Sequence, residues 1–208
     1  MGITIFSYIS LPALRELSII SLVGVDWHQF HFIDFLRRSG CRIERFALSG
    51  TNVTSEEFLS LLEGMPSLIE LQILRIDASE SQHVPQTILH NDLLRRMTYE
   101  ETPSNNPSLL LAKLKSIMLC GPLPFDDHFL VDMVQSRLRL PAPARLAYVG
   151  LRYHREFDKP VLRQLKDLEG LKLSVRRVHM ERRESWEKWG GFTFPVSILI
   201  CLFFSSGS

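Results

Sequence analysis

The feature that most constrains the fold is a recurring phrase: an apolar residue, two variable residues, an apolar residue, one variable residue and another apolar residue. One such unit cannot bury its own apolar face, so it needs a similar unit on either side. The chain is therefore expected to fold by stacking repeats. The six copies begin at Leu14, Ile43, Leu68, Leu114, Leu146 and Leu168.

The spacing of the phrases favours a leucine-rich repeat. Successive copies are separated by 29, 25, 46, 32 and 22 residues, and four of these steps lie within or near the roughly 20–29 residues of that repeat. The step of 46 residues contains two polar stretches, 77–85 and 98–108. We interpret them as an insertion near 77–108 that lengthens one repeat.

A helix is predicted after most of the strands. Thr54, followed by Glu57, is typical of a capping box, and Gly64-Met65-Pro66 ends the apolar stripe that follows. Alternating strands and helices with a repeat period predict an α/β fold. We expect a short, irregular leucine-rich-repeat solenoid, with parallel strands on the concave face and helices on the convex face.

Two regions differ in composition. Residues 1–175 hold about six degenerate repeats, whereas 176–208 are first densely charged and then apolar. The apolar run from Phe194 to Phe204 is shorter than the roughly 20 residues of a membrane-spanning helix. Four interpretations of this tail stay open: a last strand, a frayed or disordered end, a gene-model artefact and a membrane tail anchor.

The charge balance excludes partners that are attracted by net charge alone. The 208 residues carry a net charge of +1, which argues against nucleic acid and against a membrane surface as partners. The three cysteines, Cys41, Cys120 and Cys201, do not have zinc-ligand spacing. Free thiols suit the cytosol or the nucleus.

No residue pattern points to catalysis. His28 and His31 share one side of a predicted helix, but they form at most half of a metal site. Asp126 and Asp127 are explained by a helix N-terminus, where acidic side chains are stabilising. Motifs for phosphate loops, nucleophile elbows and zinc proteases are missing. We expect a protein that is not an enzyme, with no cofactor and no metal.

The variable positions inside each phrase predict a binding surface. The apolar anchors of a strand point into the core, so the residues between them point outward. Stacked strands would then line one extended surface, where Tyr, Arg and Met favour protein recognition. The outward set also includes Ile20, Ala47, Leu74, Cys120 and Gly150. The residues predicted to bind a protein partner are Glu16, Ser18, Arg45, Ser49, Glu70, Gln72, Ser116, Met118, Tyr148 and Arg152.

Several segments carry a family resemblance. They are Leu11-Pro-Ala-Leu-Arg-Glu-Leu, Arg45-Phe-Ala-Leu-Ser-Gly, Glu56-Glu-Phe-Leu-Ser-Leu-Leu, Met65-Pro-Ser-Leu-Ile-Glu-Leu and the run from Pro124 to Arg137. The chain from Leu11 to about Val175 resembles the leucine-rich-repeat region of fungal F-box-like proteins. The resemblance implies the substrate-recognition part of a cullin-type ubiquitin-ligase receptor, which binds the ligase adaptor through an F-box.

The chain departs from that family in two respects. No F-box helices precede the repeats, so the resemblance assigns adaptor binding to no residue here. The asparagine that follows the strand in many repeats is replaced by Leu22, Thr51, Ile76 and Pro122. The alternative is a stand-alone leucine-rich-repeat scaffold or inhibitor module without a ligase link. An F-box in upstream coding sequence would discriminate between the two.

Overall fold

Six successive strands lie side by side in one parallel sheet, each paired with its neighbour in the sequence. They are β1 (Glu16–Asp26), β2 (Arg45–Asn52), β3 (Glu70–Leu74), β4 (Ser116–Gly121), β5 (Tyr148–Tyr153) and β6 (Lys172–Arg177). A short β7 (Ile198–Leu202) pairs in parallel with β1 on its other side. This computed structural model describes residues 5–26, 29–74, 88–100, 109–121, 123–153, 157–177 and 198–202.

Five helices connect these strands. They are α1 (Gln29–Ser39), α2 (Ser55–Glu63), α3 (Asn91–Met97), α4 (Asp127–Leu138) and α5 (Lys159–Lys166), and a 3-10 turn, Ile5–Ser7, precedes β1. The strand order runs steadily from β1 to β6, and connections between parallel strands are right-handed. All five helices therefore lie on one face of the sheet, and the sheet is not closed into a barrel.

The α/β prediction is confirmed, and one register is corrected. The first five phrases coincide with β1 to β5, and their second and third anchors pair in register across the sheet. In β6, however, Leu173 pairs with Val149 and Val175 with Leu151. The sixth phrase, predicted to begin at Leu168, is thus shifted by two residues. The same face still turns inward, because side chains alternate with a period of two.

The core lies between the sheet and the helices. The strand anchors Leu17, Phe46, Leu71 and Ile117 are buried in one cluster with the apolar sides of the helices. At the β1 end, Phe6 packs edge-on against Phe32 with ring centroids 5.0 Å apart. Burial of these anchors explains why the phrase recurs, since each repeat covers the apolar side of the next.

A repeated pair of backbone hydrogen bonds fixes the starts of β2 to β5. The carbonyl oxygen before one strand accepts two successive backbone N–H groups from the next repeat. The accepting oxygens belong to Arg15, Glu44, Ile69 and Lys115, and the donor pairs are Glu44 and Arg45, Ile69 and Glu70, Lys115 and Ser116, and Ala147 and Tyr148. The strands therefore start in the same register although the connections differ in length.

The predicted capping box is confirmed at the start of α2. The Thr54 hydroxyl accepts from the Glu57 backbone N–H at 3.2 Å, and the Glu57 carboxylate accepts from the Thr54 N–H at 2.9 Å. Two donors that the helix itself cannot satisfy are paired in this way.

Side chains at helix starts also connect neighbouring repeats. The Asn91 side-chain oxygen accepts from the Asp126 backbone N–H at 2.9 Å. The buried Asp127 carboxylate accepts from the Asp158 N–H at the same distance. Asp126 caps its own helix through the His128 N–H, as the sequence predicts. In the described part of the chain, these contacts link α3 to α4 and α4 to α5.

We expect Asp127→Ala to lower the free energy of unfolding by about 1–2 kcal/mol, because the Asp158 N–H loses its acceptor. Asp127→Asn keeps an oxygen at that position and is expected to cost less. Chemical denaturation measures both values. Asp132→Ala, an exposed position on the same helix, is the control. Equal losses for the alanine and asparagine variants would contradict the hydrogen-bond explanation.

Arg137 on α4 is fully buried, with 0% of its surface exposed. Its guanidinium donates to three backbone oxygens: Met97 at 2.6 Å, Leu111 at 2.9 Å and Leu110 at 2.5 Å. Leu111 has a left-handed backbone, with φ of 56°, which costs energy for a residue with a side chain. Arg137 therefore ties the C-terminal end of α3 to the residues shortly before β4, within the long connection between β3 and β4.

Candidate binding face of the sheet

The sheet face opposite the helices, here named the open face, presents side chains in three rows that cross six strands. The first row is Glu16, Arg45, Glu70, Ser116, Tyr148 and Lys172. The second row is Ser18, Ala47, Gln72, Met118, Gly150 and Ser174, and the third is Ile20, Ser49, Leu74, Cys120, Arg152 and Arg176. All ten residues predicted to bind a partner lie in these rows.

The charges of the first row are paired on β1 to β3. The Arg45 guanidinium forms an ion pair with Glu16 and lies 3.3 Å from the Glu70 carboxylate. One residue earlier along the strands, Arg15 pairs with Glu44. These strands therefore present cations and carboxylates that largely neutralise one another. Residues of the first two rows on β1 to β3 also line a small depression in the face.

Tyr148 and Met118 lie over Gly150 in the middle of β5. A Cβ atom placed on Gly150 would stand 2.9 Å from the Tyr148 hydroxyl oxygen and 2.9 Å from the Met118 sulfur. The missing side chain therefore gives both residues the space to lie across the strand. A tyrosine that presents an apolar ring and a polar hydroxyl is typical of interface anchors.

Several predicted contact residues are less accessible than the alternation alone predicts. Ser18 is 6% exposed, Ser49 is 2% exposed and Met118 is 9% exposed. The Ser49 hydroxyl is also without a hydrogen bond to any described residue. Neighbouring side chains on adjacent strands shield these positions although they point away from the core. Glu16 is likewise only 8% exposed, whereas the row positions of β6, Lys172, Ser174 and Arg176, are exposed.

The β6 end of the face is basic, and the sequence prediction stopped short of it. Lys172 and Arg176 are exposed, and they pair in register with Tyr148 and Arg152. In the described ranges, neither Lys172 nor Arg176 forms an ion pair. The alternation of polar and apolar residues over 172–176 is the signal that predicts them. Placing the sixth phrase two residues too early concealed that signal.

Of the two histidines considered as half of a metal site, only His31 lies among the described residues. His31 Nδ1 lies 3.0 Å from the Ser7 hydroxyl, and His28 lies outside the described residues. Within those residues, no three side chains of histidine, cysteine, aspartate or glutamate cluster as metal ligands would. Asp126 and Asp127 contact helix starts, which explains their position without catalysis.

Comparisons with protein-family models, with curated proteins and with solved structures give no match for this chain. Among the helices that the structure describes, none combines the length and the apolar character needed to cross a bilayer. The open face is accordingly interpreted from its own residues.

Proposed function

We propose that the chain is a leucine-rich-repeat solenoid that binds another protein through the open face. The observation that carries the proposal is the set of three in-register rows across six parallel strands, opposite every described helix. The backbone hydrogen bonds that recur at the starts of β2 to β5 support equivalent units. In a solenoid the strands would line the concave side, which is the extended binding surface of such proteins.

The resemblance to F-box-like proteins suggests a more specific role. We infer that the open face recognises the substrate of an F-box-type ubiquitin-ligase receptor in the cytosol or nucleus. The adaptor would bind an F-box supplied elsewhere in a longer protein. The alternative is a stand-alone scaffold or inhibitor module. Co-purification of the full gene product with the ligase adaptor is expected for the receptor and not for the scaffold.

The Tyr148→Ala and Arg152→Ala double variant is expected to weaken partner binding at least about tenfold. Tyrosine and arginine dominate binding energy at many interfaces, where one such residue contributes about 2 kcal/mol or more. Proximity labelling in cells would first identify the partner, and titration calorimetry with the purified partner would measure the affinity. Circular dichroism would show whether the variant remains folded.

A matched control removes the same chemistry from the helix side. Phe30→Ala combined with Arg163→Ala truncates one exposed aromatic residue on α1 and one exposed arginine on α5. This variant should bind the partner like the wild-type protein. If it weakens binding as much as the open-face variant does, or if neither variant changes affinity, the open face is not the binding surface.

A further inference from the structure

We propose that the partner contacts the β5–β6 end of the open face through an acidic segment that also carries an apolar side chain. The inference rests on the proposed function and adds the chemistry of the partner. Charge is distributed unevenly over the open face. Strands β5 and β6 contribute three cations, Arg152, Lys172 and Arg176, and no carboxylate to the three rows.

The two ends of the sheet differ in how their charges are compensated. On β1 to β3, Arg45 lies between the carboxylates of Glu16 and Glu70, so that end has no excess positive charge. On β6, the exposed Lys172 and Arg176 are without ion pairs to described residues. Complementary charge at an interface favours the correct partner and disfavours partners of the same sign.

The register places like charges next to each other. Arg152 and Arg176 are direct partners on adjacent parallel strands, and neighbouring strands are about 4.8 Å apart. Arg176 is exposed at this position. A carboxylate of the partner beside it would accept charge-assisted hydrogen bonds from its guanidinium group.

The spacing of the exposed cations sets the minimum length of the acidic segment, and a neighbouring aromatic residue favours an apolar side chain in it. Lys172 and Arg176 are separated by four strand positions, or about 13 Å. An acidic segment must therefore supply carboxylates over at least that distance. Tyr148 is the register partner of Lys172 and is partly exposed, so its ring offers an apolar contact beside the basic end. The net charge of +1 over the whole chain favours a protein segment over nucleic acid, which is bound mainly by strongly basic surfaces.

The experiment uses the whole chain and three fluorescein-labelled probes. The first is a peptide of about twelve residues, long enough to span the basic end, with six glutamates, two leucines and four serines. The second replaces each glutamate with lysine, and the third is a single-stranded DNA of similar length. Fluorescence anisotropy is expected to show the acidic peptide binding at least about tenfold more tightly than either other probe.

Charge reversal locates the site. Lys172→Glu combined with Arg176→Glu should weaken binding of the acidic peptide at least about tenfold. Arg163→Glu combined with Lys166→Glu makes the same change in net charge on exposed positions of α5, and it should change binding less than about twofold. Because all four side chains are exposed, both variants should retain the wild-type melting temperature. If the reversal on β6 lowers it, Lys172→Gln with Arg176→Gln takes its place.

The possible results separate this inference from the proposed function. The acidic-partner inference is overturned if the acidic peptide does not bind, or if DNA or the lysine peptide binds more tightly. It is also overturned if both reversal variants lose the same affinity for the acidic peptide. Protein recognition by the open face would still stand if the Tyr148 and Arg152 variant weakens binding of the natural partner. If that variant also leaves the partner's affinity unchanged, the proposed function fails as well.

Discussion

Replacing Arg137 with methionine is expected to lower the free energy of unfolding by about 3–5 kcal/mol. The guanidinium is fully buried and donates to the backbone oxygens of Met97, Leu110 and Leu111. Methionine fills similar space but donates no hydrogen bond. Backbone oxygens cannot be exchanged for apolar groups, so their lost hydrogen bonds cannot be compensated by better packing.

The charge state of Arg137 supports this expectation. Burial lowers the pKa of its guanidinium to about 10, so the group remains protonated at neutral pH and keeps all its donors. Because this pKa lies below the unfolded value, burying the cation costs stability at pH values below about 10. That cost declines as the pH rises from the folded pKa toward the unfolded one. The hydrogen bonds to the three carbonyl oxygens offset it.

Urea denaturation of three variants would test the role of Arg137. Arg137→Lys retains the charge but lacks the planar fork of donors. It should therefore be more stable than Arg137→Met and less stable than the wild-type protein. Arg139→Met, at the exposed C-terminal end of the same helix, should be nearly neutral. A loss below about 1 kcal/mol for Arg137→Met would mean that its three hydrogen bonds do not stabilise the connection between β3 and β4.

Leu71→Ala is the second change with a large expected effect, a loss of about 2–5 kcal/mol in the free energy of unfolding. Leu71 is 0% exposed, and it pairs with Phe46 on one side and Ile117 on the other. Truncation removes its apolar contacts and leaves a cavity beside both neighbours. Chemical denaturation followed by circular dichroism would measure the loss.

The same strand offers a control for Leu71. Leu74 belongs to the open face and is only partly buried, so Leu74→Ala should cost less than about 1 kcal/mol. Comparable losses at the two positions would show that the inward and outward faces of β3 are assigned incorrectly.

The positions of the strands were predictable because their signal is local. Alternating anchors locate β1 to β5, and the capping box at Thr54 locates the start of α2. The sixth register was not predictable from anchors alone. A strand has a period of two, so Leu171 and Leu173 satisfy the pattern as well as Leu173 and Val175 do. Only pairing with β5 distinguishes the two registers.

Contacts between segments that are distant in the chain could not be predicted from the sequence. Arg137 reaches Met97, which is 40 residues earlier, and no local pattern marks such a partner. Its burial is also unusual, because arginine is almost never fully buried unless it is paired. The basic end of the open face was missed for a different reason. Its cations become neighbours only when β6 pairs with β5, so their common location depends on the register.

The connections and the sheet differ in how freely their lengths vary. Residues 75–115 separate β3 from β4, far more than lie between β2 and β3, yet Glu70 and Ser116 remain direct partners. Insertions and deletions on the helix side would therefore alter the length of the chain without shifting the rows of the open face. Point substitutions within a row would alter the proposed binding surface without changing the length. These two classes of genetic change act on separate parts of the molecule, so the proposed binding surface and the helix side can evolve independently.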